Sequence, residues 1–162
     1  MDLPRELEDY LHAHIPISEY MGVTVLEANE ERVRLHLPLE PNINHQQTVF
    51  GGSESAAAIL SAWSLLWVRL RNHESHPKLV IRANSIEYTR PIESEFQAET
   101  QPISQEEWNK FLVGLERKGK GRIPIRARLL AGDQVCGEFS GTFVALVDLI
   151  APSYGAAANS KQ

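Results

Sequence analysis

The feature that most constrains this fold is an apolar helical segment entered through two glycines. Gly51 and Gly52 precede it, and the run from Ala56 to Val68 is apolar or small on every side of a helical wheel. A helix without a polar face needs neighbours on all sides, so we predict a helix that is buried all round and wrapped by the rest of the chain. Ser61 and Ser64 interrupt the run, which is too short for a membrane span of roughly 20 residues.

The patterns on either side of this helix indicate a sheet that wraps it. Alternating or β-rich segments predict strands at 23–28, 33–39, 79–88, 95–100, 123–129 and 135–147. Helical spacing of apolar residues predicts amphipathic helices at about 3–14 and 105–118, the second capped by Ser104. We therefore predict an α+β fold in which a curled antiparallel sheet surrounds one central helix.

Length and charge narrow the classes of protein to be considered. The 162 residues fit one domain, which we assign to residues 1–150, with residues 151–162 as a disordered tail. The net charge of −5 argues against a general nucleic-acid binder. Cys136 is the only cysteine, and the N-terminal residues lack the pattern of a secretory signal, so we expect a soluble cytoplasmic protein without disulfides or membrane contact.

The entrance to the central helix is chemically suited to a carbonyl group or an anion. The first backbone N–H groups of a helix have no intrahelical acceptor and carry partial positive charge. Gly51 and Gly52 also allow a ligand to approach the backbone closely. We therefore expect a site at Gly51-Gly52-Ser53, with the Gly52 N–H as its principal donor.

The segments around this entrance resemble those of the hotdog-fold thioesterases. The resemblance rests on residues 42–45, 48–53 and 86–91, together with His14-Ile15-Pro16-Ile17 and Gly141-Thr142-Phe143-Val144-Ala145. More specifically, residues 7–146 resemble a thioesterase domain that also occurs behind an acetyltransferase domain in some bacterial proteins. The resemblance implies a homodimer or dimer of dimers that hydrolyses acyl-CoA or acyl carrier protein thioesters, without a cofactor.

The resemblance assigns roles to two parts of the entrance and leaves a third role unfilled. Asn44 matches the asparagine that orients water or thioester, and Gly51-Gly52 matches the glycines whose N–H polarises the carbonyl. Phe50 stands where many relatives have histidine. Ile59 stands where they have the carboxylate, contributed by the neighbouring subunit, that acts as base or nucleophile. The identity of the general base is therefore open.

Four residues are candidates for this base. Glu54 lies in the first helical turn, where a carboxylate is also favoured by the helix dipole alone. His45 has a suitable pKa range but follows Asn44 directly and can point away from the site. Ser55, one turn before Ile59, could hold a water or simply pack, and Glu87 has the pattern of a solvated strand residue.

The remaining predicted site residues would bind substrate. Those expected to line the thioester and acyl site are Thr48, Phe50, Gly51, Ser53, Ser55 and Trp63. Arg82 and Arg90 are candidates for phosphate contacts, although exposed basic residues are commonly only solvated. The histidine pairs lack a third ligand nearby in sequence, so we expect no metal site. A non-catalytic acyl-thioester binding module and a hotdog-fold dehydratase remain the alternatives to hydrolysis.

Overall fold

The computed structural model describes residues 2–148, which form four α-helices and six strands. The helices are α1 (Leu3–His14), α2 (Ile17–Tyr20), α3 (Gly51–Leu70) and α4 (Gln105–Lys118). The strands are β1 (Thr24–Ala28), β2 (Val33–Leu37), β3 (Lys78–Tyr88), β4 (Phe96–Thr100), β5 (Lys120–Ala131) and β6 (Gln134–Leu146). A short 3₁₀ turn, Glu40–Asn42, precedes α3. The predicted tail, residues 151–162, lies outside the described residues.

All six strands belong to one antiparallel sheet with the order β1-β2-β4-β5-β6-β3. The long β5–β6 hairpin turns at Gly132, whose φ of 57° favours glycine. The sheet curls around α3, which packs against β2, β3, β4, β5 and β6. This arrangement confirms the predicted hotdog fold, with α3 as the central helix.

The core lies between α3 and the concave face of the sheet. Every second residue of β2, from Val33 to Leu37, is fully buried, as its alternating sequence predicts. Leu65 and Leu66 of α3 are fully buried against this layer. The predicted cap of α4 is also confirmed, because the Ser104 hydroxyl accepts a hydrogen bond from the Glu107 N–H at 3.1 Å.

The prediction that α3 is buried all round is wrong along one face. Gly52 is exposed and four residues spaced three or four apart are only partly buried, forming a line that we call the α3 stripe: Gly52, Ala56, Ile59, Trp63 and Trp67. The sheet contacts the opposite faces of the helix. An apolar helix surface indicates that something covers it, but it does not show whether the same chain does so. The apolar sequence of α3 therefore led to the wrong prediction for this face.

Three further features of the described residues limit the kinds of site that they can hold. None of the helices within residues 2–148 is long and apolar enough to cross a membrane. Across the same residues, no three His, Cys, Asp or Glu side chains are grouped so that they could hold a metal ion. Cys136 is a buried free thiol.

Candidate functional site

A buried asparagine fixes the point at which α3 begins. Asn42 is 2% exposed, and its Nδ2 donates to the carbonyl oxygens of Met21 at 2.9 Å and Pro38 at 2.8 Å. Its own backbone carbonyl accepts from the Phe50 N–H at 2.7 Å. Phe50, the residue that immediately precedes α3, is thereby linked through Asn42 to Met21, directly after α2, and to Pro38, directly after β2.

Asn44 closes the loop between Asn42 and the helix. Its Oδ1 accepts from the Gln46 N–H at 2.8 Å and from the Thr48 N–H at 3.2 Å, while Nδ2 lies 2.9 Å from the Thr48 hydroxyl. The Asn44 N–H donates to the Thr48 carbonyl at 2.8 Å. These contacts bring the loop back on itself before α3, so the predicted site residues Asn44 and Thr48 bind each other.

The first two residues of α3 leave their N–H groups free for a ligand. Within residues 2–148, neither the Gly51 N–H nor the Gly52 N–H has a hydrogen-bond acceptor, whereas the next two donate to the Phe50 carbonyl. A Cβ on Gly52 would lie 2.3 Å from the Phe50 ring, and one on Gly51 would lie 3.3 Å from the Tyr88 ring. A side chain at position 52 would therefore displace the exposed Phe50 ring, and one at position 51 would press against the Tyr88 ring.

A cleft of about 340 Å³ opens beside this helix end, lined by Val49, Gly51, Glu54, Tyr88, Thr89, Arg90 and Pro91. We call it the Glu54 cleft. Glu54 is only 3% exposed, and its Oε2 is buried without a hydrogen-bond partner among the described residues. The Tyr88 hydroxyl donates to the Gly51 carbonyl at 3.0 Å and holds that ring across the cleft from the helix. Arg90 forms no ion pair with Glu54.

Burial gives Glu54 an unusual protonation equilibrium. It raises the pKa of the Glu54 carboxyl from 4.5 to about 7, because the charged form loses its hydration and gains no buried partner. The pKa of Tyr88 is also raised, first by burial and then by the negative charge of Glu54. A carboxyl group that titrates near neutral pH can accept a proton from water or return one to a leaving group.

The other predicted site residues are distributed over several places. Phe50 is 57% exposed at the helix entrance, and Ser53 and Ser55 are partly buried in the first turns of α3. His45 is exposed on the loop and does not line the Glu54 cleft. Arg82 is exposed on β3, six residues before Tyr88, which is about 20 Å along a strand. The structure thus brings together Gly51, Glu54 and Arg90, but neither His45 nor Arg82.

Trp63 belongs to a separate cavity of about 610 Å³ at the other end of α3. Together with Tyr10 and Trp67 it forms the aromatic part of this wall, with ring centroids of Tyr10 at 6.0 Å from Trp63 and 5.0 Å from Trp67. Its Nε1 donates to the Leu79 carbonyl at 3.4 Å. At a rise of about 1.5 Å per residue, Trp63 lies roughly 16 Å from Gly52 along the helix.

Sequence reasoning missed Tyr88 and Trp67 as candidates for these two regions. Tyr88 is the last residue of β3 and lies two residues before Arg90, which the sequence predicted as a site residue. Its position next to Arg90 could have identified Tyr88 as a further candidate. Trp67 follows Trp63 by four residues and therefore shares its helix face. Tyr10 comes from α1, and no local pattern links it to α3.

Comparison with known proteins assigns the chain to a family. The family described as "Putative thioesterase (yiiD_Cterm)" matches residues 4–147. The chain belongs to this family. The match includes the loop, the helix entrance, the Glu54 cleft and the aromatic cavity, so all the candidate residues lie within the yiiD_Cterm domain.

Solved structures support the same assignment. A protein of unknown function from Chlorobaculum tepidum TLS is 27% identical with a TM-score of 0.82, covering 90% of this chain and 94% of that protein. A "putative thioesterase" from Shewanella oneidensis is 26% identical with a TM-score of 0.78, covering 89% of this chain and 97% of that one. A "probable thioesterase" from Pseudomonas aeruginosa, at 19% identity and a TM-score of 0.74, covers 91% and 98% and shows the fold. Family and fold together support a thioesterase-like function for this yiiD_Cterm chain.

Proposed function

We propose that this protein hydrolyses acyl thioesters at the N-terminus of α3, with Glu54 as general base. The observation that carries the proposal is the buried Glu54 carboxyl, which faces a cleft beside the free N–H of Gly51 and has one oxygen without a partner. Family membership supports a thioester as the substrate. The carrier would be coenzyme A or acyl carrier protein.

In the proposed reaction, the thioester carbonyl oxygen accepts hydrogen bonds from the N–H groups of Gly51 and Gly52. Water in the Glu54 cleft attacks the carbonyl carbon while its proton passes to the Glu54 carboxylate. The N–H groups stabilise the oxyanion, as donors at such sites typically contribute on the order of 10² to 10³ in rate. Collapse of the tetrahedral intermediate breaks the C–S bond, and Glu54 returns the proton to the thiolate, so an acid and a thiol leave.

Glu54 suits the base role better than its rivals because it combines burial with access to the cleft. A pKa of about 7 leaves roughly half of the carboxylates able to accept a proton at neutral pH. His45 is exposed and Glu87 is exposed on β3, and neither lines the cleft. Asn44 binds Thr48 and Gln46, so we assign it to positioning the loop that leads to the helix rather than to contacting water.

We also propose that the active molecule is a homodimer formed through β3. This strand is 11 residues long and pairs only with β6, so its other edge is free among the described residues. Val80, on that strand, is 46% exposed. A long edge with apolar side chains favours pairing with a second copy. Such pairing would place the partner beside the α3 stripe.

A non-catalytic acyl-thioester binding module is the second candidate. It is favoured by Ile59, an apolar residue on the α3 stripe where the resemblance implies a carboxylate. Binding modules and hydrolases share the need for carbonyl donors and an acyl site, but a binding module needs no base. The two functions therefore differ in whether the protein turns over the thioester at all. Only a hydrolase needs Glu54 as a base.

The test is thiol release from a panel of acyl-CoA and acyl carrier protein substrates at pH 8. We expect turnover by the native protein and a loss of about 10² to 10⁴ in kcat for Glu54→Gln. Glu87→Gln removes a carboxylate of the same type from an exposed strand position and is expected to leave the rate unchanged. Saturable binding of these thioesters without any turnover would contradict hydrolysis and support the binding module.

A further inference from the structure

Strand β1 forms the edge of the sheet that lies opposite β3. It pairs with β2 on one side only, and its other side faces the N-terminal helix α1. The strand of another chain can pair with an edge strand through its outward-facing N–H and C=O groups. Here these groups belong to Val25 and to Val23, which directly precedes the strand, and we call them the β1 edge.

The N-terminal segment makes the bonds to the β1 edge that a neighbouring strand would otherwise make. The Val23 N–H donates to the Ser18 carbonyl at 2.9 Å. The Val23 carbonyl accepts from His12 Nε2 at 2.8 Å. The Val25 N–H donates to Glu8 Oε2, also at 2.8 Å. Two donors and one acceptor in succession are therefore occupied, and a second strand cannot bond to them while α1 is in place.

The spacing of Glu8 and His12 on α1 brings both side chains to the β1 edge, because residues four apart share a helix face. The neighbouring positions Leu7 and Leu11 are fully buried and hold α1 against the core. A helix that only covered the core would need these two leucines. It would not need a carboxylate acceptor and an imidazole donor that match an N–H and a C=O of the adjacent strand.

Two further contacts join α1 to α3 instead of to β1. The Glu6 carboxylate pairs with Arg71 at 3.0 Å, and the centroid of the Tyr10 ring lies 5.0 Å from that of Trp67. Neither contact involves the β1 edge. We therefore expect α1 to remain folded on α3 when Glu8 and His12 are replaced.

The β3 edge of the sheet lacks comparable bonds. Within residues 2–148, the only side-chain bond to the backbone of β3 joins Trp63 Nε1 to the Leu79 carbonyl at 3.4 Å. β3 has 11 residues and β1 has 5, yet the β1 edge receives two side-chain bonds of 2.8 Å. The two edges of one sheet are thus treated differently, and the shorter one is closed.

We propose that the β1 edge is a second strand-pairing surface for another copy of this chain, which Glu8 and His12 of α1 keep closed. Another copy fits this edge because residues 23–26, Val-Thr-Val-Leu, carry no charge. Two β1 strands can therefore lie antiparallel without opposing like charges. Leu26 is 51% exposed and gives such a pair an apolar contact.

Closing the β1 edge limits the size of the assembly. In a dimer joined through β3, one β1 edge lies at each end of the combined sheet. Dimers with open β1 edges would add end to end without closing, whereas closed edges stop growth at the dimer. An interface elsewhere than β3 would change the unit that adds, but not whether it adds through β1.

The test compares the full-length native protein with the double variant Glu8→Ala/His12→Ala. In sedimentation velocity at rising concentration, we expect the native protein to keep its size and the variant to gain mass by about twofold or more. In dilute solution, hydrogen exchange of the Val25 amide should become faster by about tenfold or more, because its acceptor is lost. Arg5→Ala/Asp9→Ala removes an exposed ion pair of 3.2 Å from the same helix and should change neither result.

Two additional variants distinguish pairing through β1 from general misfolding. Leu26→Lys, added to Glu8→Ala/His12→Ala, places like charges opposite each other in a β1 pair and should abolish the growth. Misfolding would not be reversed by this substitution. Glu8→Gln/His12→Gln retains an acceptor and a donor at the two positions and should behave as the native protein.

Native size of Glu8→Ala/His12→Ala at every concentration would overturn the proposal. Growth that Leu26→Lys does not reverse would also overturn it, because the new contact would then lie outside the β1 edge. Both results are independent of hydrolysis, which Glu54→Gln tests separately.

Discussion

Replacing Glu54 with glutamine should change the pH dependence of folding stability in a direction that the structure fixes. The carboxyl has a pKa of about 7 in the folded chain and 4.5 as its ordinary value. Between these two pH values the folded chain binds more protons than the unfolded one. The free energy of unfolding therefore falls as pH rises from about 4.5 to 7, and the destabilisation is complete above that window.

The size of this effect follows from the difference between the two pKa values. A difference of about 2.5 units, at 1.36 kcal/mol per unit, corresponds to roughly 3 kcal/mol. Glu54 is 3% exposed, so solvent screening does not greatly reduce this figure. Glutamine has nearly the same shape and no charge. Relative to the native protein, Glu54→Gln should therefore gain about 3 kcal/mol at pH 8.5 compared with pH 4.5.

Urea unfolding of both proteins at pH 4.5 and pH 8.5 measures this difference. Comparing the two pH values removes the contribution of the glutamine amide, which is present at both. Glu87→Gln, at an exposed position, should show no such dependence. If the stability difference between Glu54→Gln and the native protein changes by less than about 1 kcal/mol between the two pH values, Glu54 is not a desolvated carboxyl.

Three further results are expected. Asn42→Ala should lower the free energy of unfolding by about 2 to 3 kcal/mol in urea titrations, because it removes the donor to the Met21 and Pro38 carbonyls. A loss below about 0.5 kcal/mol would show that these bonds contribute little. Tyr88→Phe should lower kcat severalfold with little loss of stability, since it keeps the ring but not the bond to Gly51; unchanged kinetics would remove Tyr88 from the site. Val80→Lys should weaken dimerisation at least tenfold in sedimentation velocity, and an unchanged dimer would place the interface elsewhere than β3.

The fold was predictable because its main signals are local. The alternation in β2 and the helical spacing in α4 each report a buried face, and Ser104 marks a helix start through its own side chain. The central helix was identifiable from the absence of a polar face. The incomplete burial of the α3 stripe was not, because composition does not distinguish a surface covered by the same chain from one covered by a ligand or partner.

The candidate site was predictable only in part because its geometry depends on distant segments. The glycines at the helix entrance are a local signal, and Glu54 follows them within one turn. The burial that shifts the pKa of Glu54 comes from packing with β3 and the loop after it, which sequence spacing does not reveal. The same holds for the aromatic cavity, where Tyr10 of α1 meets two tryptophans of α3.

The proposed reaction depends most directly on the proton that Glu54 accepts from water during hydrolysis. The decisive measurement is kcat/KM between pH 5 and pH 9 for the native protein and Glu54→Gln, taken from initial rates at concentrations of an active panel substrate well below KM. We predict that native activity rises about tenfold per pH unit at low pH and levels off above an apparent pKa near 7, because only the carboxylate is active. Residual activity of Glu54→Gln should lack this transition. A native profile that levels off near pH 4.5, or the same transition in both proteins, would contradict Glu54 as the base.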